Sequence, residues 1–505
     1  MSRQLLTIYN CKTADISALP NLEINDFRNT VISRVDEGMR IASLFGMPVD
    51  NNIVKLIAVL ADDNQGLLHL TSTDVKESYP SLTPDCPQAH WFEREIAEQF
   101  GICPNGHPWL KPIRFHRSYT GQDVWKRSAD LPIQPSVTNF FRVEGSEIHE
   151  VAVGPVHAGI IEPGHFRFQC SGENILHLEI SLGYQHRGIE RQMAGSPHKR
   201  SIHYIETAAG DTTIGHTMTY CHILESLAGC SVPARAQMLR GIALELERLA
   251  NHTGDLGALA GDIGYLPTAS FCGRIRGDFL NMTAILCGNR FGRSFVMPGG
   301  TVFDLEKKHI DDLRKRLAEA LKDVTNAAGC LWTTPSVLSR FDDTGILTER
   351  TCKELGIVGP PARASGLQCD CRYNFASGIF QFQQIPVATW GTGDVFARAY
   401  VRWLEIQHSA AFINSVLDIM TPGQIQTNVA PAAPNKIVAA MTEGWRGEIC
   451  HTAITDSSGK LVRYKIVDPS FHNWAGLAVV MRNQQISDFP LCNKSFNLSY
   501  CGHDL

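Results

Sequence analysis

Residues Phe166–Leu182, FRFQCSGENILHLEISL, decide how the larger part of the chain folds. The second half of this stretch alternates between leucine or isoleucine and a polar residue from Leu176 to Leu182. A period of two is typical of a β-strand with one buried face. The intervening residues 171–174, SGEN, are turn formers. The stretch therefore predicts a β-hairpin with arms at Phe166–Cys170 and Ile175–Leu182.

Helical periodicity replaces this alternation further along the chain. One predicted helix begins near Pro233, and its apolar residues recur at intervals of three and four: Leu239, Ile242, Leu246 and Leu249. We expect Asp304 to cap a second helix and Val401–Met420 to form a third. Residues 149–505 are thus predicted to be a large, mainly helical domain with an N-terminal β-hairpin.

The residues before the hairpin predict a smaller α/β unit at 1–116. Ile53–Leu60 and Leu67–Ser72 have the length and apolar content of strands, and an Asn-Gln-Gly turn separates them. Gln88–Phe100 is predicted to be helical. Residues 117–148 show no clear period and are interpreted as a connector. The fold class is therefore α+β, with two domains of unequal size.

Composition excludes several kinds of function. The 505 residues include 46 Lys and Arg against 51 Asp and Glu, a net charge of -5, so no basic field points to nucleic acid as a partner. No run of 18 apolar residues occurs, and the N-terminus lacks the apolar region of a secretory signal, so we expect folding in the cytosol. The 15 cysteines include no CxxC pair, unlike a zinc or iron–sulfur site on one local motif.

Several longer strings resemble one family of redox proteins. His90–Leu110, HWFEREIAEQFGICPNGHPWL, resembles the signature of the 30-kDa-type subunit of respiratory complex I. From Gly154 onward the chain resembles the 49-kDa-type subunit of complex I (NADH-quinone oxidoreductase) and the large subunit of group 4, membrane-bound nickel–iron hydrogenases. A fused chain is typical of hydrogenase-4 and formate hydrogenlyase large subunits. The segments on which this second resemblance rests are Gly154–Phe168, Gly183–Glu190, Val232–His252, Asn289–Gly300, Ala362–Arg372 and Asp488–Asp504.

The resemblance also indicates what has been lost. A nickel–iron centre takes four thiolates from two CxxC motifs at opposite ends of the large subunit, because thiolates suit these soft metals. In this chain the four positions fall on Ala209, Thr212, Ser499 and Gly502. Cys501 is one residue out of place, and no shift of register restores four thiolates. We therefore predict that the chain binds no metal and that it does not turn over hydrogen.

The resemblance to complex I leaves the electron acceptor open. The family's histidine and tyrosine that bind the quinone headgroup fall on Ile161 and Gly210. A conventional ubiquinone pocket is therefore not expected, although a quinone remains possible because His157, Glu162 and His165 lie in the same loop.

The remaining site residues are assigned by the resemblance. Glu162 matches a family glutamate that passes protons, with pairing to Arg167 as the alternative. His252 matches a histidine near the iron–sulfur cluster of the small partner subunit, and a helix-end role is its alternative. Asp211 stands at the former metal position as a proton carrier or a loop cap. Four residues are expected to line the cavity: His157, Arg363, Asp370 and Arg372. For Arg363, Asp370 and Arg372 the alternative is a set of structural ion pairs.

The resemblance implies a peripheral large subunit of an oxidoreductase complex that couples electron transfer to ion translocation. Its implied partners are an iron–sulfur small subunit with a 4Fe–4S cluster, a membrane-embedded subunit and further antiporter-like membrane subunits. The chain itself is predicted to hold no cofactor and to lie on the inner face of the cytoplasmic membrane. The alternative is a non-catalytic structural subunit that the complex needs for assembly.

Overall fold

The computed structural model describes residues 4–50, 53–128, 130–135, 139–195 and 197–505. The strands are β1 Leu6–Tyr9, β2 Lys12–Asp15, β3 Asn21–Leu22, β4 Arg40–Asp50, β5 Ile53–Asp62, β6 Leu67–Val75, β7 Ser78–Pro80, β8 Cys103–Asn105, β9 Ile148–Val153, β10 His165–Ser171, β11 Asn174–Ser181, β12 Val296–Met297, β13 Gly300–Thr301, β14 Lys436–Gly444, β15 Gly447–Thr455 and β16 Leu461–Val467.

The α-helices outnumber the long strands and lie mostly after residue 189. They are α1 Ile24–Asp36, α2 His90–Phe100, α3 Ile189–Gln192, α4 Ser201–Glu206, α5 Thr213–Leu227, α6 Ala234–Asp262, α7 Leu266–Cys287, α8 Lys307–Thr333, α9 Pro335–Phe341, α10 Glu349–Leu355, α11 Gly359–Ala364, α12 Cys371–Asn374, α13 Val395–Ile419, α14 Pro469–Val480, α15 Phe489–Phe496 and α16 Tyr500–Asp504. Among the helices of the described residues, none combines the length and the apolar content needed to cross a membrane.

The predicted hairpin is confirmed. Strands β10 and β11 pair antiparallel with Phe168 opposite Leu178, and β9 adds a third strand on the other side of β10. Phe166, Phe168 and Leu178 are buried in the main core. The alternation of apolar and polar residues in β11 therefore corresponds to a sheet with one face packed against the helices.

The helices of the second unit also follow the sequence pattern, with one correction. Helix α6 begins directly after Pro233, and α13 begins at Val395 rather than at Val401. The prediction that Asp304 caps a helix is wrong. Glu306 caps α8 instead, in a reciprocal capping box with His309. Asp304 does not cap the helix because its carboxylate pairs with the guanidinium of Arg235 at 2.7 Å.

The N-terminal unit is built on a five-stranded sheet in the order β1-β6-β5-β4, with β3 beside β6. Strands β5 and β6 begin at the predicted residues, and α2 begins at His90 after a short 3-10 turn. Helix and strand thus occur together in both parts of the chain, which confirms the α+β class.

One strand from the start of the chain, β2, belongs to a sheet of the second unit. Strand β2 is the edge of a four-stranded sheet in the order β16-β15-β14-β2. One hydrophobic cluster joins Phe45 and Phe92 of the N-terminal unit to Ile437 and Met441 of this sheet. The two units are therefore packed through a common core. Their division at residues 116 and 149 stays a prediction.

Candidate functional site

A cavity of about 550 Å³ lies between the loop after β9, strand β10, and helices α15 and α16. Three residues predicted from the sequence line it: His157, Glu162 and Asp211. Much of the remaining wall is apolar and consists of Val153, Ile160, Ile161, Phe166, Phe168, Ile486, Phe489, Pro490 and Leu498. A largely apolar wall with a few convergent polar groups, at this volume, is typical of a site for a small organic molecule.

Glu162 is half-buried in the wall of this cavity. Its carboxylate accepts hydrogen bonds from the backbone N–H groups of Tyr500 at 3.2 Å and Cys501 at 3.3 Å. The predicted alternative partner, Arg167, pairs instead with Glu150 on the neighbouring strand. Within the described residues Glu162 makes no ion pair. Its carboxyl group therefore lies in the cavity wall, held by two backbone amides and by the thiol of Cys501.

Asp211 forms the charged end of the cavity together with Arg446. Both carboxylate oxygens of Asp211 accept hydrogen bonds from the Arg446 guanidinium, one at 2.8 Å, and that guanidinium lies 3.9 Å from the ring centre of Trp445. Burial alone would raise the pKa of Asp211, but Arg446 holds it below its ordinary value. The pair is therefore ionised at neutral pH, whereas a proton-carrying role for Asp211 stays a prediction.

The four positions that the resemblance assigns to thiolates lie behind this pair. Ala209 has no donor atom. The Thr212 hydroxyl is shared between Asp211 and Arg446, each at 3.2 Å. Ser499 caps α16, because its hydroxyl accepts the backbone N–H of Gly502 at 2.9 Å.

The remaining position, Gly502, has no room for a side chain. A Cβ atom built there would lie 2.7 Å from Cγ of Asp468. The neighbouring Cys501 thiol is held protonated, because burial and the charge of Glu162 raise its pKa to about 12. Within the described ranges, no cluster of three or more His, Cys, Asp or Glu side chains could hold a metal ion. The residues present therefore do not fit a four-thiolate nickel–iron centre.

We expect Gly502→Ala to lower the free energy of unfolding by about 1–3 kcal/mol, because the new methyl group overlaps the Asp468 carboxylate. Urea unfolding of the purified chain measures this cost. In an Asp468→Ser background the same substitution is expected to cost less than half as much. Gly210→Ala is the control, since a Cβ atom there meets nothing within 4 Å. Equal costs for Gly502→Ala in both backgrounds would contradict the steric argument.

His252 lies apart from the cavity, in the interior of α6. Its Nε2 is 2.8 Å from Glu405, and its side chain is fully buried. Although Glu405 favours the protonated ring, burial is the stronger influence and lowers the pKa of His252. Its Nδ1 has no hydrogen-bond partner among the described residues. The structure therefore places His252 in a buried ion network and does not bring it to Glu162.

Arg363, Asp370 and Arg372 belong to the same buried network and are not among the residues that line the cavity. Arg363 pairs with Glu405 at 2.7 Å and with Glu443 at 2.8 Å. Arg372 pairs with Asp370 at 2.6 Å. These contacts are the structural ion pairs that the sequence left open as one of two roles. A functional role for the three residues remains untested.

Three charged residues of the cavity were not predicted from the sequence: Asp262, Arg446 and Lys494. Burial raises the pKa of Asp262, although Lys494 opposes the effect. Arg446 lies in the Gly-Trp-Arg-Gly turn between β14 and β15. Trp445 and Arg446 are flanked by glycines, a pattern that predicts a tight turn with both side chains on its outside. This pattern is the sequence signal that could have identified Arg446.

Comparison with known proteins extends the match over both units. The model of the respiratory-chain NADH dehydrogenase 30 Kd subunit matches residues 30–129. The model of the 49 Kd subunit of the same enzyme matches residues 262–436 and 427–504. The carbon monoxide-induced hydrogenase of Rhodospirillum rubrum is 31% identical over 350 residues, which are 69% of this chain and 97% of that protein. The chain belongs to the hydrogenase and complex I large-subunit family.

Other members of this family match most of the chain or share its fold. Formate hydrogenlyase subunit 5 of Escherichia coli is 28% identical, and the match covers 84% of this chain and 76% of that protein. NADH-quinone oxidoreductase subunit 4 of Thermus thermophilus is 26% identical over 68% of this chain and 90% of its own length. A chain in the structure of the membrane-bound sulfane sulfur reductase, an archaeal respiratory membrane complex, has a TM-score of 0.65. It covers 71% of this chain and 99% of its own at 22% identity, which supports the large-subunit fold alone.

Proposed function

We propose that this chain is the peripheral large subunit of a membrane-associated oxidoreductase complex that couples electron transfer to ion translocation, without a nickel–iron centre of its own. The Glu162 cavity is the observation that carries the proposal. It lies between the two segments that hold the metals in hydrogenases, and it combines an apolar wall with an ion-pair-free carboxyl group. That combination suits a small, mostly apolar electron acceptor such as a quinone.

The chain's own residues have distinct tasks in this proposal. The aromatic and aliphatic wall excludes water from the acceptor, and the Arg446–Asp211 pair fixes the polar end of the cavity. Glu162 exchanges a proton with the reduced acceptor at its carboxyl group. The electrons come from the 4Fe–4S cluster of an iron–sulfur small subunit.

The remaining partners are proposed from the family. They are a membrane-embedded subunit beside the cavity and further antiporter-like membrane subunits, with the chain on the inner, cytoplasmic face of the membrane. The names of relatives support this arrangement, since one is a membrane-bound hydrogenase subunit from Pyrococcus furiosus and others are NADH-quinone oxidoreductase subunits. No nucleic acid is involved.

A non-catalytic structural subunit is the second candidate. One observation favours it. The Arg446–Asp211 pair and Asp468 occupy the region that the resemblance assigns to the metals, so fixed ion pairs stand where a hydrogenase has reactive ligands. A structural subunit has no need of an ion-pair-free carboxyl group in a cavity. The Glu162 substitution described in the Discussion separates the two candidates.

Element analysis of the complex purified intact from membranes tests the absence of a nickel–iron centre. We expect no nickel, and iron only in the amount that the clusters of the partner subunits contain. Stoichiometric nickel that copurifies with this chain would overturn the proposal. Reduction of a water-soluble quinone analogue by the same preparation then tests the proposed acceptor class.

A further inference from the structure

A second polar chain runs behind the cavity and is not part of its lining. Asp468 precedes α14 and lies 3.0 Å from Nε2 of His216, in the first turn of α5. Nδ1 of His216 is 3.2 Å from Nε2 of His451 on β15. Nδ1 of His451 is 2.8 Å from the Tyr464 hydroxyl on β16. All four side chains are at most 1% exposed, so solvent does not compete for these bonds.

The geometry of this chain allows two arrangements of protons. In the first, Tyr464 donates to His451, His451 donates from Nε2 to His216, and His216 donates to Asp468. In the second, an additional proton makes His216 an imidazolium, so that His216 donates to His451, and His451 donates from Nδ1 to the Tyr464 oxygen. Both arrangements use every ring nitrogen. The tautomer of His451 therefore reports whether the chain holds the additional proton.

The two neighbours of His216 differ in how burial and nearby charges act on them. Burial, reinforced by His216, holds the pKa of His451 well below its ordinary value. Burial alone would raise the pKa of Asp468, but its bond to His216 lowers it, so Asp468 stays an anion beside the imidazolium. The other charged and titratable groups that face the chain are Arg446, Asp211 and His472 at Asp468, Glu190 at His451, and Tyr220, Cys221 and Cys450 at Tyr464.

Residues at the start of α16 connect this chain to the cavity. The Asp468 carboxylate occupies the space beside Gly502, where a side chain would project. Cys501, the preceding residue, has its thiol 3.4 Å from the Ser499 hydroxyl and hydrogen-bonded to the Glu162 carboxylate. The guanidinium of Arg446 is hydrogen-bonded to Asp211, and the charges of Asp468 and Glu162 also raise its pKa. One guanidinium thus faces three carboxylates, and an additional proton on His216 compensates part of the excess negative charge.

We propose that Asp468, His216, His451 and Tyr464 form a two-state proton relay that serves the Glu162 cavity. The inference rests on the proposed function and deepens it. A quinone-type acceptor takes two electrons, one at a time, from the iron–sulfur cluster of the partner, and two protons. Glu162 passes the two protons to the acceptor in turn and is reprotonated from water after each, while the additional proton of the relay compensates negative charge beside Arg446, which faces both Asp468 and Glu162. His216 and its neighbours act through Asp468 and are positioning residues.

The tautomer of His451 tests the relay without any activity measurement. Nitrogen-15 NMR of the histidine-labelled full chain is recorded from about pH 5 to about pH 9. We expect His451 to change from the Nδ1–H to the Nε2–H tautomer as the pH rises and the chain gives up its additional proton. A single tautomer of His451 over the whole range would overturn the proposal.

Two variants sharpen this test. Tyr464→Phe removes the oxygen that accepts from Nδ1, so His451 is expected to stay Nε2–H over the whole pH range. His222→Gln is the matched control, because His222 is a buried histidine of α5 whose Nδ1 has no partner in the described residues. It is expected to leave the tautomer change of His451 as in the wild type. A Tyr464→Phe chain that titrates like the wild type would contradict the relay.

The intact complex gives an independent readout. Tyr464→Phe is expected to move the alkaline limb of the pH profile for acceptor reduction down by about one pH unit, since the relay loses its proton earlier. An equal loss of rate at every pH indicates a purely structural role and overturns the proposal. A complex that reduces no acceptor refutes the proposed function, and the His451 tautomer then decides the relay by itself.

Discussion

Glu162→Gln is expected to lower acceptor reduction by the intact complex about 100-fold, the size of effect that loss of a positioned proton donor produces. The amide keeps the shape of the carboxyl group, and its oxygen can still accept from the backbone N–H groups of Tyr500 and Cys501. It cannot exchange a proton with the acceptor. The measurement is the rate of quinone-analogue reduction at saturating reductant, with urea unfolding of the chain as the check on stability.

The control for this substitution is Glu150→Gln. Glu150 is an exposed carboxylate on β9 that pairs with Arg167 and does not line the cavity. Its loss is expected to leave the rate within about twofold of the wild type, as expected for a surface ion pair. If Glu162→Gln also leaves electron transfer and ion pumping unchanged, the structural-subunit alternative replaces the proposed function.

Arg363→Met is expected to lower the free energy of unfolding by about 3–5 kcal/mol, the usual effect of removing one partner from a buried ion network. Arg363 is fully buried and is shared by Glu405, Glu443 and Asp370. Arg363 is the largest of the charges that hold the pKa of Glu405 well below its ordinary value although burial opposes this, so the substitution leaves a buried anion with only Arg248 and His252 as partners. Urea unfolding monitored by tryptophan fluorescence measures the change.

Two further variants show whether burial is the cause. Arg350→Met removes an arginine that is 87% exposed and pairs with Glu354 four residues along α10, so no measurable change is expected. Arg363→Lys keeps the charge but cannot bridge Glu405 and Glu443 with one planar group. Its free energy of unfolding is therefore expected to lie between the values of the wild type and Arg363→Met. Similar unfolding curves for Arg363→Met and Arg350→Met would rule out a stabilising role for the network.

Local patterns in the sequence were sufficient for much of the secondary structure. The alternation from Leu176 to Leu182 located the hairpin, and three- and four-residue spacing located α6. The cap of α8 was misassigned because a distant arginine, Arg235, competes for Asp304. Periodicity relates residues a few positions apart and contains no information on such a remote partner.

In the candidate site, too, residue identities were available from the sequence, whereas the contacts between distant residues were not. The loss of thiols at the four ligand positions was read from residue identity through the resemblance, and it stays a prediction. Three of the seven predicted site residues, His157, Glu162 and Asp211, meet in one cavity, while His252 lies elsewhere in a buried network with Arg363, Asp370 and Arg372. Which residues share a cavity depends on how whole helices and sheets pack.

The sequence by itself determined the α+β class, the hairpin and several of the longer helices, because each follows from neighbouring residues. Only the tertiary structure decided the chemistry of the site. Glu162 meets Tyr500 across 338 residues, and Arg446 meets Asp211 across 235. Asp468 fills the space at Gly502 in the same way. Contacts across such separations exist only once the core has brought the segments together, since burial gives the charges their partners and their pKa values.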